Sequence, residues 1–380
     1  MHKERKSHDA KPPYLALAGK LRKAIDAQNI APGSFLGTEV ELSKNHGLAR
    51  MTVRRAVQTL IDEGILERLP GRGIFVRNPE HQTRAVKVLA GNLCWTPAVN
   101  MARAAKKVAD DKGVELILCD AHGDMAADLA AIRRLPCNGV RGAMIMSLHC
   151  REFHNALSHL VAAGFPFVVV DQRLREIDAP SVCSDNVGGG ALAATAVLEA
   201  GHRRIAFIGD LHADTTADRL KGVKKTLADR GMNLADTVSL EITDPFGDWE
   251  PCIKEKVREL MASNAAPTAV LCSCDSVARA AYRTLTGLGL SIPDDVSIVG
   301  FDDDPLAEWL DPPLSTIRQD FDEIGRIAME KLVERMANPA APSEHVHVPV
   351  DYVARDSVAA PHTTSPAMFH ARKSEMPLTV

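Results

Sequence analysis

The chain has 380 residues, long for one domain and suited to two or three. Its net charge is only −4, but residues 1–78 carry 14 Lys and Arg against 8 Asp and Glu while the remainder is net −10, so nucleic acid is expected to meet the N-terminal part alone. No stretch approaches the roughly 18 apolar residues of a membrane span, and the charged start MHKERKSHDAK leads into no apolar core, so neither a span nor a signal peptide is expected.

Residues 1–11 read as disordered and residues 12–78 as one module. Thr38 and Glu41 have the spacing of a capping box and predict a short helix to about His46, closed by a turn at Gly47. The next stretch predicts a second helix: Val53, Ala56, Val57, Leu60 and Ile61 fall on one apolar stripe. Arg50 and Arg54, four apart, share another face, flanked by Thr52, Arg55 and Gln58. Arg can donate two hydrogen bonds to guanine, and hydroxyl and amide groups reach phosphates or bases, so this face suits a DNA major groove. An ordinary surface helix with solvated arginines carries the same pattern. Its surroundings favour DNA: two helices joined by a Gly turn form a helix-turn-helix. Ile65–Arg68 and Gly73–Arg77 then predict a hairpin with a basic tip at 69–72.

PPYLALAGKLRKAI, APGSFLGTEVEL and GLARMTVRRAVQTLIDEGILERLPGRGIFV together resemble the GntR-type winged helix-turn-helix over Pro12–Val76. The resemblance implies that Arg50, Thr52 and Arg54 contact DNA from the recognition helix, with Arg55 and Gln58 beside them, and Gly71 and Arg72 from the wing tip. Three positions depart from the family pattern. Gly37 replaces a usual Pro, Val40 a usual Arg or polar residue, and Ala49 a usual Ser or Thr cap. The last two each remove a phosphate contact or cap, a loss of about 1 kcal/mol.

Residues 79–84 read as a polar linker. From Ala85 apolar strands alternate with helices. Strands are expected at 86–93, 114–119, 140–146, 166–170, 204–208, 237–242, 269–272 and 296–301. Helices are expected at about 97–112, 124–134, 151–163, 187–200, 217–230, 248–263 and 275–288. Repeated βα units predict an α/β fold with parallel sheets covered on both faces, and this length predicts two lobes. Gly188–Gly190 reads as a site of close helix packing, with Ser184 or Asp185 as cap, rather than a phosphate loop. The eight cysteines form no CxxC, and neither Cys272 with Cys274 nor the histidines have metal-ligand spacing, so no metal or cofactor is expected.

VVVDQR, VCSDNVGGGALAATAVLEAGHRRIAFIGD, TTADRLKGVKKTL, IPDDVSIVGFDDDPLAEWLDPPLSTIRQDFDEIG and PVDYVARDS resemble the LacI-family effector domain, which has a periplasmic-binding-protein-like fold, over residues 85–358. Residues 359–380 read as a disordered tail without heptads. A GntR reader joined to a LacI-type sensor is similar to AraR-like sugar-responsive repressors. In such folds ligands sit between lobes at the C-terminal ends of strands; Asp171, Arg219, Trp249 and Asp302 follow expected strands, and Gln319 begins the crossing back between lobes. Asp accepts from sugar hydroxyls, Arg donates to oxygens and Trp covers an apolar sugar face. The resemblance implies that these five line the effector pocket, with Cys274 standing where the family often has Asn.

The expected protein is a cytoplasmic, homodimeric transcription repressor. It binds double-stranded operator DNA and is released by a small sugar-like effector. Control by an activating effector or a corepressor remains an alternative. An enzyme on a doubly wound fold is disfavoured because no GxGxxG follows a strand and no GxSxG is present. A transport-type sugar-binding protein would not carry a basic winged helix.

Overall fold

The structure is a computed structural model that describes residues 12–27, 30–31, 33–69, 73–77, 85–137, 139–146, 150–172, 177–234, 236–240, 249–263 and 266–361. The chain divides into two units, Met1–Thr83 and Arg84–Val380. Residues 1–11, the wing tip with Gly71 and Arg72, the linker 79–84 and residues 362–380 lie outside the described residues. The expected disordered tail starts too early, because Ala359 is held by His202 at its carbonyl, 2.8 Å away, and by Ser297 at its amide, 3.2 Å away.

The first unit contains α1 (Pro13–Asp26), β1 (Phe35–Gly37), α2 (Glu39–His46), α3 (Arg50–Asp62), β2 (Leu66–Leu69) and β3 (Gly73–Val76). The capping box forms. The Thr38 hydroxyl accepts from the Glu41 amide at 3.3 Å, and the Glu41 carboxylate accepts from the Thr38 amide at 2.7 Å. Each interaction satisfies an amide that a helix start leaves unpaired. Gly47 ends α2 in the left-handed region, φ 63°, as a helix–helix turn requires. The α3 stripe of Val53, Ala56, Val57 and Leu60 is fully buried against Leu17, Leu21, Leu42, Leu66 and Ile74. Ala49 gives α3 no side-chain cap. The sequence reading did not include β1, which pairs antiparallel with β3. Gly37 sits in β1 at φ 113°, which proline cannot reach, so the departure from the family Pro changes the local backbone.

The second unit has two lobes. In the N-terminal lobe β4 (Ala85–Ala90), β5 (Glu115–Asp120), β6 (Gly142–Met146), β7 (Phe167–Val170), β8 (Ser181–Ser184) and β14 (His345–Val348) form one parallel sheet of order β14-β8-β7-β6-β4-β5. α4 (Thr96–Asp111) and α11 (Phe321–Ala337) cover one face, and α5 (Met125–Arg133) and α6 (Cys150–Ala162) cover the other. The C-terminal lobe has a parallel sheet of order β10-β9-β11-β12, from β9 (Ile205–Gly209), β10 (Asp236–Ser239), β11 (Ala269–Cys272) and β12 (Ser297–Val299). α7 (Asn186–Glu199) and α8 (Asp214–Asp229) pack on one side, and α9 (Glu250–Ala262) and α10 (Asp275–Gly287) on the other. β6, β7, β9 and β11 are buried along their whole length, as parallel strands covered on both faces must be.

The chain passes between the lobes three times, from β8 to α7, from β13 (Thr316–Gln319) to α11, and from β14 to β15 (Val350–Val353). The Asp185 amide donates to the Val348 carbonyl at 2.8 Å, tying two crossings together, while its carboxylate accepts from the Gly188 amide at 2.8 Å and caps α7. The glycine run after it does allow close packing. A Cβ on Gly190 would overlap the Arg219 carbonyl, and one on Gly222 would overlap the Val187 carbonyl. α7 and α8 therefore meet backbone to backbone. Gly222→Ala is expected to lower stability by about 2–3 kcal/mol, because no side-chain movement relieves a clash with a carbonyl. Urea unfolding at neutral pH measures it, and an unchanged midpoint contradicts the packing.

Candidate DNA-binding face and effector cleft

On α3, Arg50 and Arg54 extend into solvent with side chains 67% and 60% exposed. Both lie 3.9 Å from Glu39 at the start of α2, and Arg68 of β2 reaches the same carboxylate at 2.7 Å. Three arginines from three elements thus gather round one acid. Neither Glu39 nor Arg68 was a sequence candidate, because the grouping joins residues 29 positions apart. The other candidates are arranged differently. Thr52 is half-buried, Arg55 stacks 4.2 Å over the Tyr14 ring of α1, and Gln58 donates to Asp62 at 2.8 Å. So α3 brings Arg50 and Arg54 together and holds Arg55 and Gln58 by contacts within the unit.

In the second unit, Asp171 ends β7 and Asp302 follows β12, at the C-terminal ends of their strands. Arg219, in the second turn of α8, is the cation between them. Its Nε donates to Asn186 Oδ1 at 2.7 Å and one Nη donates to the Ser273 carbonyl. Its plane lies 3.7 Å over the Phe301 ring, and Nη1 is 3.8 Å from Asp302. Gln319 donates to Asp302 at 2.6 Å. Four candidates therefore converge, with Cys274 at the α10 N-terminus near enough to Asp302 and Arg219 to feel both charges. Trp249 begins α9 and packs, like Cys274, against the core of the C-terminal lobe. Asn186, Ser273, Phe301 and Asp275 were not sequence candidates. Asn186 directly follows the expected cap Asp185 and Phe301 precedes Asp302, but only the tertiary fold aims them at Arg219.

Asp275 sets the loop that carries Asp302. It accepts from the Thr316 hydroxyl at 2.7 Å and the Asp304 amide at 2.8 Å, and its amide donates to the Phe301 carbonyl at 2.7 Å. Asp303 accepts from Arg318 and Arg355, each at 2.7 Å. These ties hold an unfavourable backbone: Asp171, Asp302 and Asp303 have φ of 57°, 121° and 59°. Left-handed non-glycine residues of this kind persist where surroundings over-determine them, and they cluster at ligand sites.

Burial dominates the electrostatics. It pushes Asp171 up to about 6 against the pull of Arg219, and Asp275 up to about 7 against its two hydrogen bonds. It raises Asp302 well above the carboxylate range despite Arg219, and Cys274 to about 12, with Asp302 adding to the rise. Cys274 is thus a neutral thiol and a weak donor. Two buried acceptors, Asp171 Oδ1 and Gln319 Oε1, have no hydrogen-bond donor.

The raised Asp171 value carries a sign for stability. Between its ordinary value and about 6 the native chain holds a proton that the unfolded chain has lost, so native stability falls as pH rises through this window. Asp171→Asn is expected to melt above the parent at pH 8, by the equivalent of about 1–3 kcal/mol, and to match it near pH 4. Calorimetry across that range tests it, and a variant less stable at pH 8 contradicts it.

Residues 13–76 match the bacterial regulatory proteins of the gntR family, and residues 194–358 match the periplasmic binding protein-like domain. The chain is 34% identical over 225 residues to the ribose operon repressor of Haemophilus influenzae, a match covering 59% of this chain and 66% of that repressor, just under two thirds of its length. It is 27% identical over 332 residues to the arabinose metabolism transcriptional repressor of Geobacillus stearothermophilus, covering 85% of this chain and 91% of that one. Among solved structures, a LacI family transcriptional regulator from Enterococcus faecium with bound ribose aligns with a TM-score of 0.62 at 26% identity, over 73% of this chain and 99% of that chain. No described helix is long and apolar enough to cross a membrane. Reader and sensor together show that the chain joins a GntR-type winged helix-turn-helix to a LacI-type, periplasmic-binding-protein-like effector module, the domain pair of a transcriptional repressor.

Proposed function

We propose that the reader grips double-stranded operator DNA chiefly through Arg50 and Arg54, with Thr52, Arg55, Gln58, Gly71 and Arg72 completing the contact set. An uncharged, hydroxyl-rich, sugar-like effector then binds between the lobes and lowers DNA affinity. The observation that carries the effector reading is the pair of buried, donorless acceptors, Asp171 Oδ1 and Gln319 Oε1, beside Asp302 and Arg219. Buried polar atoms without partners cost about 1–3 kcal/mol each, and a ligand that supplies donors recovers this. Adjacent sugar hydroxyls are such donors. Asp171 and Asp275 crowd Asp302, with Arg219 the cation beside it, and this surplus of acidic groups disfavours a phosphate or carboxylate ligand. The ribose and arabinose named in the relatives' descriptions are consistent with this chemistry. Asp171 comes from the N-terminal lobe and the other groups from the C-terminal lobe and the β13 crossing, so one ligand touching both favours lobe closure.

The working form is a homodimer acting in the cytoplasm, where the DNA is. β5 is an edge strand of its sheet with Ile117 and Leu118 exposed, and Trp309 and Leu306 project from the 3-10 turn Pro305–Trp309 at 84% and 49% exposure. Exposed apolar edges of this kind are normally covered. Two readers held by a dimer match a two-fold operator. Sedimentation of the full chain at micromolar concentration is expected to give a dimer, and a monomer contradicts the proposal.

Asp302→Ala removes both oxygens and leaves the Gln319 amide without its acceptor, so effector affinity is expected to fall about ten- to a hundredfold, or 1.4–3 kcal/mol. Arg219→Ala is expected to fall at least as far, with DNA binding retained in both because neither residue is in the reader. Calorimetric titration of folded variants with the pentose or hexose that raises the parent's melting temperature tests this. Parent-like affinity in both contradicts the cleft assignment.

A further inference from the structure

The recognition helix carries an apolar residue where its chemistry predicts a polar one. Met51, in the first turn of α3, is 72% exposed. Its neighbours on the outward face are Arg54, Arg55 and Gln58. Arg55 is held by the Tyr14 ring and Gln58 by Asp62, while Arg50 and Arg54 stand either side of Met51 in sequence with highly exposed side chains. Packing does not account for the position, because the core of this unit is built from the opposite stripe of α3. Solubility does not favour it either. An exposed thioether amid arginines gains nothing from water.

In a helix-turn-helix the N-terminal residues of the second helix approach the base edges most closely. A major groove offers one purely apolar group, the thymine 5-methyl. The flanking arginines supply the charge that brings this turn against the polyanion. A methionine side chain is unbranched and flexible, so it can follow a methyl group without demanding one fixed geometry. From this combination we propose that Met51 reads thymine, by packing its side chain on the 5-methyl group of a base next to those contacted by Arg50 or Arg54. Specificity at that base pair is then set by an apolar contact, while the arginines set polar readout and much of the affinity. The proposal rests on α3 being the groove-facing helix.

The test uses the full chain and the tightest duplex it selects from a random-sequence library. Each thymine in that duplex is replaced singly by deoxyuridine, which removes the methyl group and leaves the Watson–Crick pairing unchanged. At one thymine per half-site, affinity is expected to fall about three- to fivefold, the value of burying one methyl. Because the contact is uncharged, the salt slope of binding stays the same. Met51→Ala is expected to bind the thymine and uracil duplexes alike, and Met51→Leu to keep part of the difference. Met51 is exposed, so neither variant is expected to alter the melting temperature, and that is checked alongside. Uracil scanning that changes affinity by less than twofold everywhere overturns the proposal. So does a methyl effect that survives unchanged in Met51→Ala, or a selected duplex with no thymine in its protected half-site. If Arg50→Ala and Arg54→Ala both bind the selected duplex as the parent does, the groove-facing assignment of α3 fails and this proposal falls with it. Retained arginine effects with no methyl effect reject the Met51 contact alone.

Discussion

Arg219 is buried beside Asp302, with Asp171 near enough to feel its charge, and the organisation of the candidate effector cleft follows from how that cation is held. A guanidinium removed from water must be matched in charge and in hydrogen bonds, or it destabilises the fold by several kcal/mol. Asn186, the Ser273 carbonyl and the Phe301 ring fix its position, and Asp302 lies 3.8 Å from it. The backbone contact of α7 with α8 lets this happen, since Gly190 lies directly against the Arg219 carbonyl. A side chain at that glycine would push α8, and the guanidinium with it, away from the cleft.

The same arrangement leaves the cleft short of donors. Arg219 spends two of its hydrogen-bonding groups on Asn186 and Ser273, Gln319 spends an amide on Asp302, and Cys274 is a neutral thiol. The acceptors of Asp171 and Gln319 remain. The loops carrying Asp171 and Asp302 also hold left-handed backbone, maintained by Asp275 and by the clasp of Asp303 with Arg318 and Arg355. Strain and unmet hydrogen bonding therefore occur where the proposed ligand would bridge the lobes. A ligand shifts a two-state protein only through its different affinity for the two states. A cleft whose acceptors meet donors only when the lobes close round a polyol provides such a difference.

Much of the fold was readable because its signals are local. The Thr38–Glu41 cap, the stripe of α3 and the buried runs of β6, β7, β9 and β11 are contained within a few residues each. Other elements carried weak signals. β1 is three residues long and β8, Ser181–Ser184, is a short run with two serines, so neither shows a distinctive period. The strand-by-strand reading ended at Phe301, although α11 has a clear stripe in Phe321, Ile324, Ala328, Met329 and Leu332. What local pattern does not contain is that α11 returns to pack on α4, with Gly325 against the Met101 carbonyl. The cleft divides in the same way. Asp171, Arg219 and Asp302 follow strands and Gln319 ends β13, positions that local pattern can point to, whereas Asn186 and Asp275 act through partners 33 and 41 positions away. In the reader, Arg50 and Arg54 were legible from helix spacing, but Glu39, which gathers them with Arg68, was not.

The central claim is that filling the cleft with an uncharged polyol weakens DNA binding by the reader. Fluorescence anisotropy of the full chain on its selected operator, at fixed salt, measures this with and without a saturating sugar identified by thermal shift. The account predicts that the operator dissociation constant rises at least tenfold, about 1.4 kcal/mol of coupling. An unchanged or tighter complex at saturating sugar would contradict it.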